Sequence, residues 1–126
     1  MAVNITIIRP KDFIRTKVDG TLSLDASRKL LVSIASLIEE KSDYHVLIDT
    51  REAQVALSTA DLFELGVAIA SLPAIAHSMT AILARLNEEE RARFLELVAQ
   101  NRGARVRVFT SFEEAITWIL EEDTRA

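Results

Sequence analysis

The side chains able to do chemistry in this chain are few, and their spacing excludes most of it. The two histidines, His45 and His77, lie far apart, and neither belongs to a His-x-x-x-His or Glu-x-x-His pair, so nothing in the spacing builds a zinc site. Cysteine is absent, which removes disulfides, thiolate ligands and thiol nucleophiles together. Glycines at positions 20, 66 and 103 are too scattered for a phosphate-cradling loop, and there is no Gly-x-Ser-x-Gly elbow. His45 alternates with Tyr44 and Val46 and reads as a packed or solvent-edge strand histidine in preference to a general base. The expectation is a protein that is not an enzyme, with no catalytic residue, no metal and no cofactor.

The remaining polar residues speak of binding or regulation. Ser58, next to Thr59, stands before an expected helix with Asp61 at the Ser-x-x-Asp spacing. Two roles are open to it: a helix cap, or a phosphorylated side chain that would gain from the helix N-terminus while Asp61 opposes it. The cap is the preferred role. Asp49, Arg51, Ser58 and Arg85 fall near the carboxyl ends of expected strands, where open α/β sheets bind ligands, and make a candidate polar ligand site. Arg105 and Arg107 share one face of an expected strand, with Val106 and Val108 on the other, and charges on an edge strand discourage unwanted pairing. The chain carries a net charge of −4 and no aromatic residue interleaves with Arg102, Arg105 and Arg107, so no nucleic-acid partner is expected.

These residues must be positioned by elements that the hydrophobic pattern outlines. The 126 residues have the size of one domain, read as spanning 1–126, and 49% apolar content is a globular balance. Val3 to Arg9 and Phe13 to Val18 read as short strands, with Asp19-Gly20 as a closing turn. A helix is expected from Leu24 to Lys41, a strand from Tyr44 to Asp49, a helix from Thr59 to Leu72, a loop near Pro73 and a strand from Met79 to Ala84. Asn87 opens a helix with Glu88, Glu89 and Glu90 in its first turn, which Gly103 ends in a left-handed residue. A strand from Ala104 to Thr110 and a helix capped by Ser111 and Glu114 complete the chain. Helices between strands imply parallel neighbours joined by right-handed crossovers. The expected architecture is α/β: a mixed sheet of about five strands with four helices, in the order ββαβαβαβα.

Leu65 to Ala84 forms a run of twenty residues without a formal charge, the length of a membrane span. Asp61, Glu64, Ala68 and Ser71 draw a narrow polar stripe along its first part, and Pro73 interrupts it. An amphipathic helix followed by a buried strand is the better reading, so the protein is not expected to span a membrane. The first ten residues show neither a basic stretch nor a long apolar run, and a cytoplasmic location is expected. Around the polar stripe, Leu62, Phe63, Leu65, Gly66, Val67, Ile69, Ala70 and Leu72 cover more than half of the helix. One sheet contact does not cover so wide an arc, which nominates Leu65 and Leu72 for an interface with a partner or for a ligand site. Trp118 points away from the apolar face of the last helix and suits either an interface or a place beneath a loop.

The run Val106-Arg107-Val108-Phe109-Thr110-Ser111-Phe112-Glu113-Glu114-Ala115-Ile116-Thr117-Trp118-Ile119 resembles the strand, phenylalanine and Ala-x-x-Trp-Leu helix of the SpoIIAA-like branch of the STAS superfamily, the fold of anti-sigma-factor antagonists. Gly20-Thr21-Leu22-Ser23 and Val46-Leu47-Ile48-Asp49 are further points of similarity. The resemblance implies a STAS/SpoIIAA-like mixed sheet and a bacterial regulatory module that signals by binding. The serine that a kinase modifies in the antagonists falls on Ser58, with Leu57 where they carry aspartate and Ala60 where they carry glycine. The resemblance extends to lipid-carrying CRAL-TRIO-type domains. Three functions are therefore expected, in order. The first is a module that binds a protein partner or a second copy of itself. Next comes a carrier or sensor of a small apolar ligand or lipid lined by residues 65–84. Last is an antagonist switched at Ser58.

Overall fold

In a computed structural model of the protein, residues 4–8, 13–40, 45–76 and 78–125 are described. Tyr44, His77 and the ends of the first expected strand, Val3 and Arg9, lie outside them. The elements are β1 (Asn4–Ile8), β2 (Phe13–Leu22), α1 (Leu24–Glu40), β3 (His45–Val55), α2 (Thr59–Ser71), α3 (Pro73–Ala76), β4 (Met79–Leu83), α4 (Glu89–Asn101), β5 (Arg105–Phe109) and α5 (Phe112–Arg125), with a 3-10 turn at Leu86–Glu88. The sheet runs β1-β2-β3-β4-β5. β1 pairs antiparallel with β2, and β2 through β5 are parallel.

Each crossover from β2 to β5 thus steps one strand further in the same direction. Right-handed crossovers that all step one way place their helices on one face of the sheet. The packing agrees. Ile14, Val18, Val46, Ile48 and Val106 form the main core with α1 through α4, while Leu47, Ala81, Leu83 and Phe109 point to the other face, where Ala115 and Ile119 of α5 cover them. β3 and β4 are buried on both sides, which explains why Val46 to Leu47 and Met79 to Leu83 are apolar without alternation.

Three boundaries depart from the sequence reading. Asp19-Gly20 is not a turn: β2 continues through it to Leu22, paired with β3 as far as Leu22↔Val55. A bulge between Lys17 and Asp19 shifts the register, and Gly20, at φ +82°, supplies the left-handed residue that lets the strand resume. β3 outlasts Asp49 for the same reason, since its tail pairs with β2 alone and Glu52 and Gln54 can stay in water. Among the described residues there are five helices where four were expected, the addition being the single turn α3 with Pro73 at its first position, where the missing N–H costs nothing. The Asn87 start resolves into the 3-10 turn followed by α4 from Glu89. Gly103 does close α4, at φ +94°.

Most of the wide apolar arc of α2 finds its cover within the chain, Phe63 excepted. α2 is the middle crossover, so it meets the sheet below and α1 and α4 on either side. Leu62, Leu65, Gly66 and Ile69 are buried, and Arg28 of α1 reaches Glu64 at 3.0 Å. Among the described residues no helix is long and apolar enough to cross a membrane.

Candidate functional site

The polar quartet proposed from sequence does not form one site. Asp49, 2% exposed, receives Arg51 Nε on Oδ1 at 3.0 Å and Arg51 Nη2 on Oδ2 at 2.9 Å, with the Arg51 backbone N–H also on Oδ1 at 3.1 Å. Burial pushes the Asp49 carboxyl up, but the Arg51 side-chain and backbone hydrogen bonds and the charges of Arg51 and Arg15 outweigh it and hold it below the usual carboxylate range. The bond to Asp49 raises the Arg51 guanidinium in turn. Arg85 donates instead to the Ala53 carbonyl at 2.6 Å. Ser58 caps α2: its Oγ accepts from the Asp61 N–H at 3.1 Å, and the Asp61 carboxylate accepts from the Ser58 N–H at 3.0 Å. Among the described residues no hydrogen bond or ion pair joins Ser58 or Arg85 to Asp49 or Arg51.

The interface candidates part company as well. Leu65 is 3% exposed, inside the core between α2, α4 and the sheet, and presents nothing to a partner. Its nomination from sequence is corrected: the topology, not a second molecule, covers that side of the helix. Leu72 is half-buried against the same core. What α2 leaves in water is Phe63, 45% exposed, with the Arg102 guanidinium 5.8 Å from its ring. Trp118 is half-buried and tilts against Phe109, ring centres 5.7 Å apart. The two rings and Arg107, stacked 5.5 Å from Phe109, line a surface groove of about 600 Å³ between α5 and the start of α4.

β5 is an edge strand, yet two of its outward backbone groups are taken by side chains of α4. Glu96 of α4 accepts from the Val108 N–H at 2.6 Å, and Gln100 Nε2 donates to the Val106 carbonyl at 2.8 Å. Arg105 and Arg107 remain exposed along it. His45 is a structural histidine, its Nδ1 accepting from the Met79 N–H at 3.1 Å. Among the described residues no group of three or more His, Asp or Glu side chains is arranged to hold a metal ion.

The feature that the residues do build together is an apolar cavity of about 90 Å³ at the carboxyl ends of β3 and β4. Its floor is Ile48, Thr50, Ile82 and Ala84; its walls are Leu30 and Leu31 of α1, Leu62, Leu65 and Ile69 of α2, and Ala92 and Leu95 of α4. The uncharged stretch flagged in the sequence thus contributes Leu65, Ile69, Ile82 and Ala84, while the α1 and α4 walls were not anticipated. The hydroxyls in the lining are committed as donors: Ser27 to the Ser23 carbonyl and Thr50 to the Leu83 carbonyl, both at 2.7 Å. The charged members of the lining are Glu88 and Arg91, whose side chains keep 24% and 42% of their surface in water and mark the rim.

No protein-family model and no curated protein matches the chain. Among solved structures it is similar to an uncharacterised protein of the DUF3478 family with a SpoIIAA-like fold from Shewanella loihica PV-4. The TM-score is 0.58, the identity 19%, and 93% of each chain is covered. The chain therefore has a SpoIIAA-like fold, as the C-terminal strand and helix implied.

Proposed function

We propose that this chain is a non-enzymatic, cytoplasmic STAS-like module that senses or carries a small molecule by taking its apolar part into the cavity between α1, α2, α4 and the sheet. The observation that carries this reading is the cavity itself: apolar walls from three helices and a floor at the carboxyl ends of two adjacent parallel strands, the place where open α/β sheets receive ligands. An engineered cavity of about 150 Å³ lined by such residues takes up benzene, and the smaller chamber here, about 90 Å³, suits a smaller hydrocarbon group. Native mass spectrometry of protein purified without denaturation tests it. A small-molecule adduct is expected on the folded protein and should vanish from Ala92→Leu, which fills the chamber. Bare protein, with no gain in thermal stability on adding short hydrocarbon probes, would remove the reading.

A second reading, binding of a protein partner or another copy, draws on the groove beside Trp118 and Phe109. Under it, Trp118→Ala weakens self-association or partner capture in a sedimentation or pull-down experiment. The Ser58 switch receives the least support. Its hydroxyl already closes a reciprocal cap with Asp61, and a phosphate there would face that carboxylate.

A further inference from the structure

The rim of the cavity carries information about the head of its ligand, and this step rests on the cavity reading above. Ser27 and Thr50 have given their protons to backbone carbonyls, so the chamber offers an anionic group no hydrogen-bond donor. An anionic head must stay at the rim. There Arg91 stands apart from the arginines with hydrogen-bonded guanidiniums. Arg28 is bonded to Glu64, Arg51 to Asp49, Arg85 to Ala53 and Arg93 to Glu89. Arg91 meets Glu88 at 3.7 Å, beyond hydrogen-bond distance. Arg91 thus lines the rim with a guanidinium that faces Glu88 without a hydrogen bond, and such a fork can take a planar carboxylate with two parallel bonds. Arg85 next to the lining adds positive charge, so Glu88 does not turn the rim negative. The volume sets the tail: about 90 Å³, against about 150 Å³ for a cavity that takes up the six carbons of benzene, admits about three to four carbon groups.

We infer that the ligand is a short aliphatic carboxylate, its chain in the chamber and its carboxylate on the Arg91 guanidinium. Sodium pentanoate is the probe, with 1-pentanol, pentylamine and decanoate as comparisons, followed through the methyl NMR signals of Leu65, Ile69 and Leu95. Pentanoate is expected to shift these methyls saturably and to bind about tenfold tighter than pentanol, the worth of one charge-assisted contact. Decanoate gains nothing over pentanoate, because its added carbons stay outside. Arg91→Gln brings pentanoate down to the pentanol affinity and leaves pentanol unchanged. Glu88→Gln, which removes the competing carboxylate, tightens pentanoate severalfold and also leaves pentanol unchanged. Equal affinities for pentanoate and pentanol that Arg91→Gln does not alter would overturn the head-group assignment while leaving the cavity reading intact. Tighter binding of pentylamine overturns the sign of the head, and much tighter binding of decanoate overturns the chain length. If neither pentanoate nor pentanol moves the cavity methyls, the cavity reading itself fails, and this inference with it.

Discussion

Gly66 of α2 lies so close to Val98 of α4 that a Cβ on it would stand 2.8 Å from both Cβ and Cγ1 of Val98 and 3.1 Å from the Leu95 carbonyl oxygen. The two helices pack backbone against side chain at this point, one residue on from Leu65 and beside Leu95, both of which line the cavity.

Gly66→Ala is the direct probe. Alanine should favour an isolated helix by about 1 kcal/mol over glycine, but the added methyl cannot be housed without parting α2 from α4. Overpacking of this kind costs about 1–3 kcal/mol, so a net loss of stability is expected in urea denaturation. Val98→Ala, made in the same background, removes only the Cγ1 contact and keeps the Cβ at 2.8 Å, so it should recover little of the loss. A Gly66→Ala protein more stable than the parent would show that the helices separate freely.

The Ser58–Asp61 box gives a second test. Ser58→Ala should lower stability by about 0.5–2 kcal/mol, as loss of a helix cap does. Asp61→Ala should cost less when Ser58 has already been replaced, because the two bonds are reciprocal. Strict additivity in a double-mutant cycle would deny the coupling.

Asp49 gives the acid limb of the stability profile. Its folded-state pKa is depressed, so the stability it contributes is fully present above its unfolded value of about 3.9 and is lost as pH falls through the lower folded value. Asp49→Asn should remove that component and flatten the decline below about pH 4. Since Arg51 keeps 37% of its side chain in water, the loss at neutral pH should stay near 1–2 kcal/mol, at the low end for bonds to a charged group. Unchanged acid denaturation in the Asp49→Asn variant would mean that other carboxylates govern it.

The sheet edge is the fourth. Replacing Glu96 and Gln100 together by alanine would release the Val108 N–H and the Val106 carbonyl, the open edge on which strands of other copies pair. Sedimentation velocity should then detect association in the double variant that is absent from the parent. A double variant that sediments as the parent does would show that Arg105 and Arg107 guard the edge unaided.

Much of the scaffold was legible because its signals are local. The caps at Ser58 and Ser111 and the left-handed Gly103 are each set by a few neighbouring residues, and the structure contains them: Ser111 Oγ accepts the Glu114 N–H at 3.4 Å. The tails of β2 and β3 were not legible, since their residues are mostly polar or only half-buried and the bulge at Lys17 breaks the alternation on which the reading depends. Leu65 was misjudged for a different reason. A wheel diagram shows how wide an apolar arc is, but not how many neighbours a helix has. That number follows from strand order, and with β3 and β4 adjacent, α2 sits between two helices. The cavity and the closure of β5 by Glu96 and Gln100 join residues from separate elements, and no spacing along the chain announces them.

The asymmetry of the two layers bears on how the molecule is made. Strand order equal to chain order lets each new strand dock on the one just before it, so the sheet can grow in the order of synthesis even though parallel pairing across a helix is itself slow. The far face is different. Leu47, Ala81 and Leu83 wait uncovered until the 14 residues of α5 arrive, so a nascent chain carries its stickiest surface longest. A chain halted after Thr110 should therefore bind a hydrophobic dye such as ANS that the finished protein ignores, and equal binding by both would show that this face is shielded in some other way. For this sheet the last helix to emerge acts as the seal on synthesis.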